Sequence, residues 1–257
     1  MSTLFFDRQK CDLCGLCIEV CPFKALEQIN GVIEVNAACK MCKICINKCP
    51  QAAIAIIDEE REKADTSKWK GILIYAEHDD IGLHPVTLEL IGEARKLASK
   101  IDHPVYALII GDTGVAKHSD MLIEHGVDKV FIYEHSKLKH FRADNYTNVF
   151  EDCINKCLPT AVLIGATPLG RSLAPRVSTR FRTGLTADCT ELQMRENTDL
   201  VQIRPAFGGN VMAQIITPDS RPQFATVRYK VMDRAEIIKG YKGEIVKCTV
   251  TPEMLQS

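Results

Sequence analysis

The sequence lacks an excess of charge of either sign, a long apolar run and a leader-like start. Its 257 residues carry 32 basic and 33 acidic side chains, a net charge of -1, so nothing favours nucleic acid or another polyanion as a partner. No apolar run approaches the roughly 20 residues that span a bilayer. The first residues have neither the basic nor the apolar segment of a signal peptide. We therefore expect a cytoplasmic protein with no membrane partner.

Histidine is also missing from the first 70 residues, the region where most of the cysteine lies. Eight of the twelve cysteines form two copies of the motif C-x2-C-x2-C-x3-C-P, which end at Pro22 and Pro50. The second copy follows the first by 28 residues at every cysteine, as Cys39 follows Cys11. In bacterial two-cluster ferredoxins this motif binds [4Fe-4S] clusters.

The spacing predicts two [4Fe-4S] clusters with crossed ligands. A tight C-x2-C-x2-C loop turns three thiolates toward one cube, while the fourth cysteine begins a helical turn that points toward the other cube. The expected ligands are Cys11, Cys14, Cys17 and Cys49 for cluster 1, and Cys39, Cys42, Cys45 and Cys21 for cluster 2.

Zinc and disulfides explain the same pattern less well. Structural zinc takes four ligands from cysteine pairs or Cys/His mixtures, and two four-cysteine runs without histidine exceed that need. Disulfides require an oxidising compartment. Residues 1–57 therefore resemble a bacterial-type two-cluster ferredoxin domain. We expect a small α+β fold held mainly by its clusters, because so short a segment buries little apolar surface.

The composition changes sharply after this segment. Eight of the eleven residues 58–68 are charged, which indicates a solvated linker over residues 58–70. Residues 71–257 then alternate short apolar runs with helical patterns, which predicts an α/β domain with a doubly wound parallel sheet. Four short β-like pieces after residue 185 should extend this sheet or form a small antiparallel addition. The predicted strands lie at 72–76, 105–110, 129–133 and 161–165, and the predicted helices at 86–100, 115–125, 146–157 and 169–180.

Neither common nucleotide-binding motif is present in this second domain. Residues 76–80 do not read G-x-G-x-x-G after the first strand, and residues 165–172 lack the lysine of a Walker sequence. What remains is a turn at 165–167 followed by a helix with Arg171 in its first turn. Helix N-termini favour anions, and a guanidinium can stabilise the reduced anion of an electron-rich ligand. A surface ion pair is the alternative for Arg171.

Three segments, 164–176, 184–190 and 204–210, are similar to the alpha subunit of electron transfer flavoproteins, in the expected order over about residues 70–235. With the ferredoxin domain in front, the chain resembles alpha subunits of bifurcating complexes such as caffeyl-CoA reductase–Etf and lactate dehydrogenase–Etf. The resemblance implies a heterodimer whose beta subunit binds NADH and a bifurcating FAD. It also implies a C-terminal domain beyond Ser257 that binds a second FAD.

The resemblance further implies a role in electron transfer rather than catalysis by this chain alone. Its clusters would pass low-potential electrons between the bifurcating FAD and ferredoxin, coupled to NADH oxidation and to a flavin dehydrogenase of the acyl-CoA or lactate type. A self-contained iron–sulfur oxidoreductase with its own nucleotide is the main alternative, and a binding module with structural clusters is another. The residues expected against the partner's FAD are Arg171 first, then Gly170, Thr167, Gly208, Gly209 and Asn210.

Three groups of residues have simpler interpretations. Residues 204–210 also fit a strand followed by a Gly-Gly turn. Thr186, Asp188 and Thr190 alternate along a predicted strand and should share one polar face. The cysteines outside the motifs are expected to be core thiols. These are Cys153, Cys157, Cys189 and Cys248.

Overall fold

The computed structural model describes residues 2–58 and 64–256, and the chain divides into two compact units, Met1–Glu62 and Lys63–Ser257. Residues 59–63, at the centre of the predicted linker, lie outside the described residues. On one side of them Asp58 ends a strand, and on the other Thr66–Lys68 form a short 3-10 helix. The domain and linker bounds therefore stay a prediction.

The first unit consists of two small antiparallel sheets and two short helices. In chain order its elements are β1 (Ser2–Phe6), α1 (Leu16–Glu19), β2 (Leu26–Ile29), β3 (Val32–Val35), α2 (Ile44–Lys48) and β4 (Ile54–Asp58). Strand β1 pairs with β4, and β2 pairs with β3.

The core of the first unit is small. Its buried residues are Cys17, Leu26, Ile33, Cys45 and Ile54. Two of these five are motif cysteines, so the apolar contacts surround the thiols rather than form a separate core. A core of this size stabilises a chain only weakly without a further constraint.

The second unit begins with strands and helices in strict alternation, as the sequence predicted. These elements are β5 (Ile72–Tyr75), α3 (Pro85–Ser99), β6 (Val105–Gly111), α4 (Ser119–Glu124), β7 (Lys129–Glu134), α5 (Ala143–Cys157), β8 (Ala161–Gly165) and α6 (Pro168–Arg180). The predicted helix at 115–125 is instead a 3-10 turn, Val115–His118, that leads into the shorter α4.

Six strands follow α6. They are β9 (Leu185–Cys189), β10 (Glu191–Met194), β11 (Leu200–Ala206), β12 (Val211–Ile215), β13 (Gln223–Val227) and β14 (Glu244–Cys248). Strands β9, β13 and β14 join a seven-stranded sheet of order β14-β7-β6-β5-β8-β13-β9, in which every pairing is parallel. Strands β10, β11 and β12 form a separate antiparallel sheet. The segment after residue 185 thus both extends the parallel sheet and adds an antiparallel one.

Helices cover both faces of the parallel sheet. Leu90 of α3 and Leu122 of α4 pack on one face, and Phe150 of α5 and Leu173 of α6 pack on the other. All four side chains are fully buried, which confirms the doubly wound α/β prediction. Among the described residues, none of the helices has the length and apolar character to span a membrane.

Candidate functional site

Two cavities of the first unit are each lined by four thiols. Cavity 1 and cavity 2 are of similar size. The structure thus brings together both crossed sets that the spacing predicted, while the iron ligation itself stays a prediction. Cavity 1 is lined by Cys11, Cys14, Cys17 and Cys49, and cavity 2 by Cys21, Cys39, Cys42 and Cys45.

The loops around the cavities share an unusual backbone conformation. Leu13 and Gly15 have φ angles of 61° and 77°, and their counterparts 28 residues later, Met41 and Lys43, have 52° and 65°. Left-handed residues within such turns point backbone N–H groups into a concave nest, a feature of many iron–sulfur sites. For a residue other than glycine this conformation costs roughly 1–2 kcal/mol. The backbone preferences of these residues therefore do not explain why both loops have the same shape. The need of each loop to bind the same kind of ligand does explain it.

The fourth cysteine of each motif receives a hydrogen bond in the same way. The backbone N–H of Ala25 donates to Cys21 Sγ at 3.3 Å, and that of Ala53 donates to Cys49 Sγ at 3.3 Å. Such N–H donors stabilise thiolate sulfur and tune the reduction potential of a cluster. Both alanines are buried, so the two donors are held in place by packing.

The thiol chemistry of the cavities fits a cluster better than a single ion. Burial raises the pKa of Cys17 and Cys45, so a cationic centre is needed to hold them as thiolates at neutral pH. Across residues 2–58 and 64–256, no three His, Cys, Asp or Glu side chains converge as ligands of one metal ion. The thiols instead stand around a cavity, which is the arrangement that a [4Fe-4S] cube requires.

A second group of predicted residues lies where β8 leads into α6. Thr167 caps the helix: its hydroxyl accepts a hydrogen bond from the N–H of Gly170 at 3.0 Å and donates one to Glu77 Oε2 at 2.6 Å. Gly170 packs so closely that a Cβ there would stand 1.9 Å from the carbonyl oxygen of Gly165. The turn is therefore rigid. Glu77 helps to hold it through its hydrogen bond with Thr167, a role that no sequence motif indicated.

Arg171 forms a bidentate ion pair with Asp188. Its Nε donates to Asp188 Oδ1 at 3.1 Å and its Nη2 to Asp188 Oδ2 at 2.9 Å. Asp188 is positioned by its own N–H, which donates to Thr226 Oγ1 at 2.8 Å. The surface ion pair is thus the state of Arg171 in this chain, although its side chain is still 54% exposed.

The pairing with Asp188 was not foreseen because the two residues lie on different elements. The sequence pattern that bore on the position of Asp188 was the alternation of polar residues through 186–190, and this pattern predicted that they share one polar face of a strand. The structure differs: Asp188 has φ +59°, and the register of β9 against β13 shifts beside it. Thr186 is buried as a result, whereas Asp188 is not.

Gly208, Gly209 and Asn210 lie at the turn between β11 and β12. Both glycines have positive φ, 71° and 94°, and face open space. The preceding Phe207 is 86% exposed. Within the described part of the chain, no hydrogen bond or ion pair links this turn to Arg171, so the two groups are not joined into one site here.

The twelve cysteines all lie within the described ranges and are all free thiols. Of the four outside the motifs, Cys153 and Cys189 are fully buried, and Cys157 and Cys248 are half-buried. Burial raises the pKa of Cys189 to about 12, which keeps this thiol neutral and unreactive.

Two family descriptions match the chain. Residues 72–253 match the electron transfer flavoprotein domain, and residues 4–27 match the 4Fe-4S binding domain. The first match covers the second unit from β5 through β14, and the second covers the first cysteine motif.

Two known proteins are similar to most of this chain. The chain is 54% identical over 227 residues to the lactate dehydrogenase (NAD(+),ferredoxin) subunit LctC of Acetobacterium woodii, a match that covers 88% of this chain and 54% of that protein. It is 43% identical over 176 residues to the electron transfer flavoprotein subunit alpha of Clostridium acetobutylicum, which covers 68% of this chain and 51% of that protein. The chain therefore spans about half the length of the curated relatives it matches.

Proposed function

Because the chain belongs to the electron transfer flavoprotein family, we propose that it is the electron-carrying alpha-type subunit of a bifurcating oxidoreductase complex. The family membership and the 4Fe-4S binding domain are the premise. In the proposed complex, low-potential electrons pass through this chain between a flavin of the beta subunit and ferredoxin. NADH oxidation and a flavin dehydrogenase of the lactate or acyl-CoA type complete the reaction.

One observation carries the proposal: a single chain joins two four-thiol cavities to an electron transfer flavoprotein domain. When bound, [4Fe-4S] clusters supply one-electron transfer at low potential. The chain's own residues would hold them, with three thiols from each loop and one from the other motif. The N–H groups of Ala25 and Ala53 would then stabilise charge on the crossing sulfurs.

The second unit offers features that suit a flavin-bearing partner. Arg171 stands on a rigid helix start, where backbone N–H groups and the helix dipole favour negative charge. Arg171 could exchange its Asp188 ion pair for a flavin edge because its own side chain is 54% exposed, and Arg228 Nε, 4.0 Å from Asp188 Oδ2, would remain beside the carboxylate. The β11–β12 turn adds an exposed apolar surface at Phe207, Val211 and Met212, of which 86%, 50% and 51% are exposed. Such a patch is typical of a subunit interface.

The electron-carrier role is tested with the purified, iron-loaded chain. We expect dithionite to bleach the absorbance near 400 nm, and we expect the chain alone not to oxidise NADH with an artificial acceptor. NADH oxidation without a beta subunit would instead support a self-contained oxidoreductase. Clusters that dithionite cannot reduce would mean a structural role only.

The role of Arg171 is tested by Arg171→Ala in the complex with the beta subunit. We expect a destabilised anionic reduced flavin and slower ferredoxin reduction, by about tenfold, since a charge-assisted contact is worth roughly 1.5–3 kcal/mol. The measurement is a redox titration of the flavin, followed by the rate of ferredoxin reduction.

The matched control for Arg171→Ala is Arg180→Ala. Arg180 lies at the other end of α6 and pairs with Glu151 at 2.8 Å. The Arg180→Ala variant therefore also loses an arginine ion pair, but far from the helix start. Flavin potentials that are the same in both variants would rule out the flavin role of Arg171.

A further inference from the structure

The two cavities differ in charge even though their cysteine motifs are identical. Asp12 of the first loop corresponds to Lys40 of the second, and Gly15 corresponds to Lys43. Both lysines line cavity 2. Cavity 1 has Asp12 in its wall and no basic side chain. The two copies of the repeat therefore have the same thiols but side chains of opposite charge around them.

The mouths of the cavities also differ in shape and polarity. Asp12 accepts a hydrogen bond from the side chain of Gln51, which ties the first loop to the second motif beside cavity 1. At the position equivalent to Gln51, cavity 2 has Phe23, which is 43% exposed. Ile44, 38% exposed, lies in the same wall, and its counterpart Leu16, 40% exposed, lies in the wall of cavity 1. The mouth of cavity 2 therefore combines open apolar contact area with positive charge.

Three lysines at or beside this mouth have no ion-pair or hydrogen-bond partner among the described residues of the first unit. Lys40 and Lys43 are exposed, as is Lys24 next to Phe23. Within residues 2–58, no ion pair or side-chain hydrogen bond engages any of the three ammonium groups. By contrast, Lys10 near cavity 1 pairs with Asp7 at 3.4 Å. We call Lys24, Lys40 and Lys43 the basic rim.

We propose that cavity 2 is the port at which this chain exchanges electrons with a small acidic iron–sulfur carrier protein, and that the basic rim is its docking surface. The inference rests on the proposed function and adds the place and the chemistry of recognition. A [4Fe-4S] cluster held by the four thiols of cavity 2 would be oxidised by one electron, the carrier would be reduced by one electron, and no bond would be made or broken.

Charge selects cavity 2 over cavity 1, and so does the apolar Phe23 at the position of Gln51. A rim of unpaired positive charge attracts an acidic surface and raises the rate of encounter, with strong dependence on salt. The apolar side chains Phe23 and Ile44 provide contact area at the centre of such an interface, with charge at its edge. Cys42 of the same wall is exposed, as is Cys14 in the wall of cavity 1, so a group bound by Cys42 would lie close to a protein docked on the basic rim.

The test compares two charge-reversed variants of the iron-loaded chain. The first is Lys24→Glu/Lys40→Glu/Lys43→Glu, and the second is the matched control Lys139→Glu/Lys239→Glu/Lys242→Glu, three exposed lysines of the second unit. The probe is an oxidised acidic two-cluster ferredoxin, titrated by calorimetry at about 50 mM and about 200 mM salt, since the range of charge interactions shrinks with ionic strength.

We expect the rim variant to weaken ferredoxin binding at low salt by at least about tenfold, and the control variant by less than about threefold. The difference should shrink at the higher salt concentration. Equal losses in both variants would show a general effect of net charge and overturn the docking site. Unchanged binding in the rim variant would also overturn it.

Cluster loading is checked by iron content and by the absorbance near 400 nm. If the glutamate variant does not load, Lys24→Gln/Lys40→Gln/Lys43→Gln removes the charge without repulsion, and we then expect a loss of about threefold. The proposed function fails separately, through clusters that dithionite cannot reduce. If dithionite reduces the clusters but the rim variant binds ferredoxin as tightly as the unchanged chain does, only the docking site is refuted.

Discussion

A chain with Cys11→Ala and Cys49→Ala should keep about half of its iron, whereas a chain with Cys45→Ala and Cys49→Ala should lose nearly all of it. Cys11 and Cys49 line cavity 1 together, so their joint loss removes one cluster. Cys45 lines cavity 2, so the second pair removes one ligand from each site. The measurement is iron and acid-labile sulfide per chain, with the low-temperature electron paramagnetic resonance spectrum of the reduced protein.

The two double variants form each other's control. They share Cys49→Ala, both remove two thiols, and they differ only in the partner cysteine. If each motif bound its own cluster without crossing, the outcomes would be reversed: Cys45 and Cys49 would then belong to one site, and Cys11 to the other. The experiment therefore distinguishes crossed from uncrossed ligation without a need to identify individual clusters.

Gly170→Ala should destabilise the second unit by about 3 kcal/mol, the upper range for overpacking of a closely packed site. The added Cβ would stand 1.9 Å from the carbonyl oxygen of Gly165 and 2.9 Å from Ile164 Cγ2. The backbone at the end of β8 cannot move aside easily, because β8 is buried between β5 and β13. The start of α6 must shift instead. The measurement is urea unfolding of the full chain followed by far-ultraviolet circular dichroism.

Gly82→Ala is the control for this prediction. Gly82 has no atom within 4 Å of an added Cβ and does not need a positive φ, so the same chemical change should leave the unfolding midpoint nearly unchanged. A Gly170→Ala protein as stable as the Gly82→Ala protein would show that α6 is free to shift. The rigid helix start inferred for Thr167 and Arg171 would then be wrong.

The alternating part of the fold was predictable because its strands are buried on both faces. Runs such as 72–75 and 161–165 are apolar without interruption and fully buried, which is the signature of a central parallel strand. Strand β14 was not predicted, because it is not buried on both faces. Glu244–Cys248 is an edge strand whose burial is only partial, and its pairing with β7 joins segments more than 100 residues apart in the chain.

The site divides in the same way. The eight motif cysteines could be sorted into two sets because the spacing within each loop brings three thiols to one centre, and the two-cluster ferredoxin motif assigns the fourth cysteine to the other centre. The pairing of Arg171 with Asp188 was not accessible, since it depends on β9 lying beside β13 and on the left-handed backbone at Asp188. The charge difference between the cavities was visible in the sequence as Asp12 against Lys40. That this difference gives the two cavities surroundings of different charge could be seen only from the residues that line them in the structure.

The position of β14 has a consequence for how the chain is synthesised. Among the described residues, the outer edge of β7, residues 129–134, pairs with residues 244–248 alone, so a ribosome must add the whole intervening segment before that edge is paired. During this interval the nascent chain displays an unpaired parallel strand, which is a site for misassociation between chains. Strand β14 therefore closes this edge of the sheet only after β8 through β13 have been synthesised.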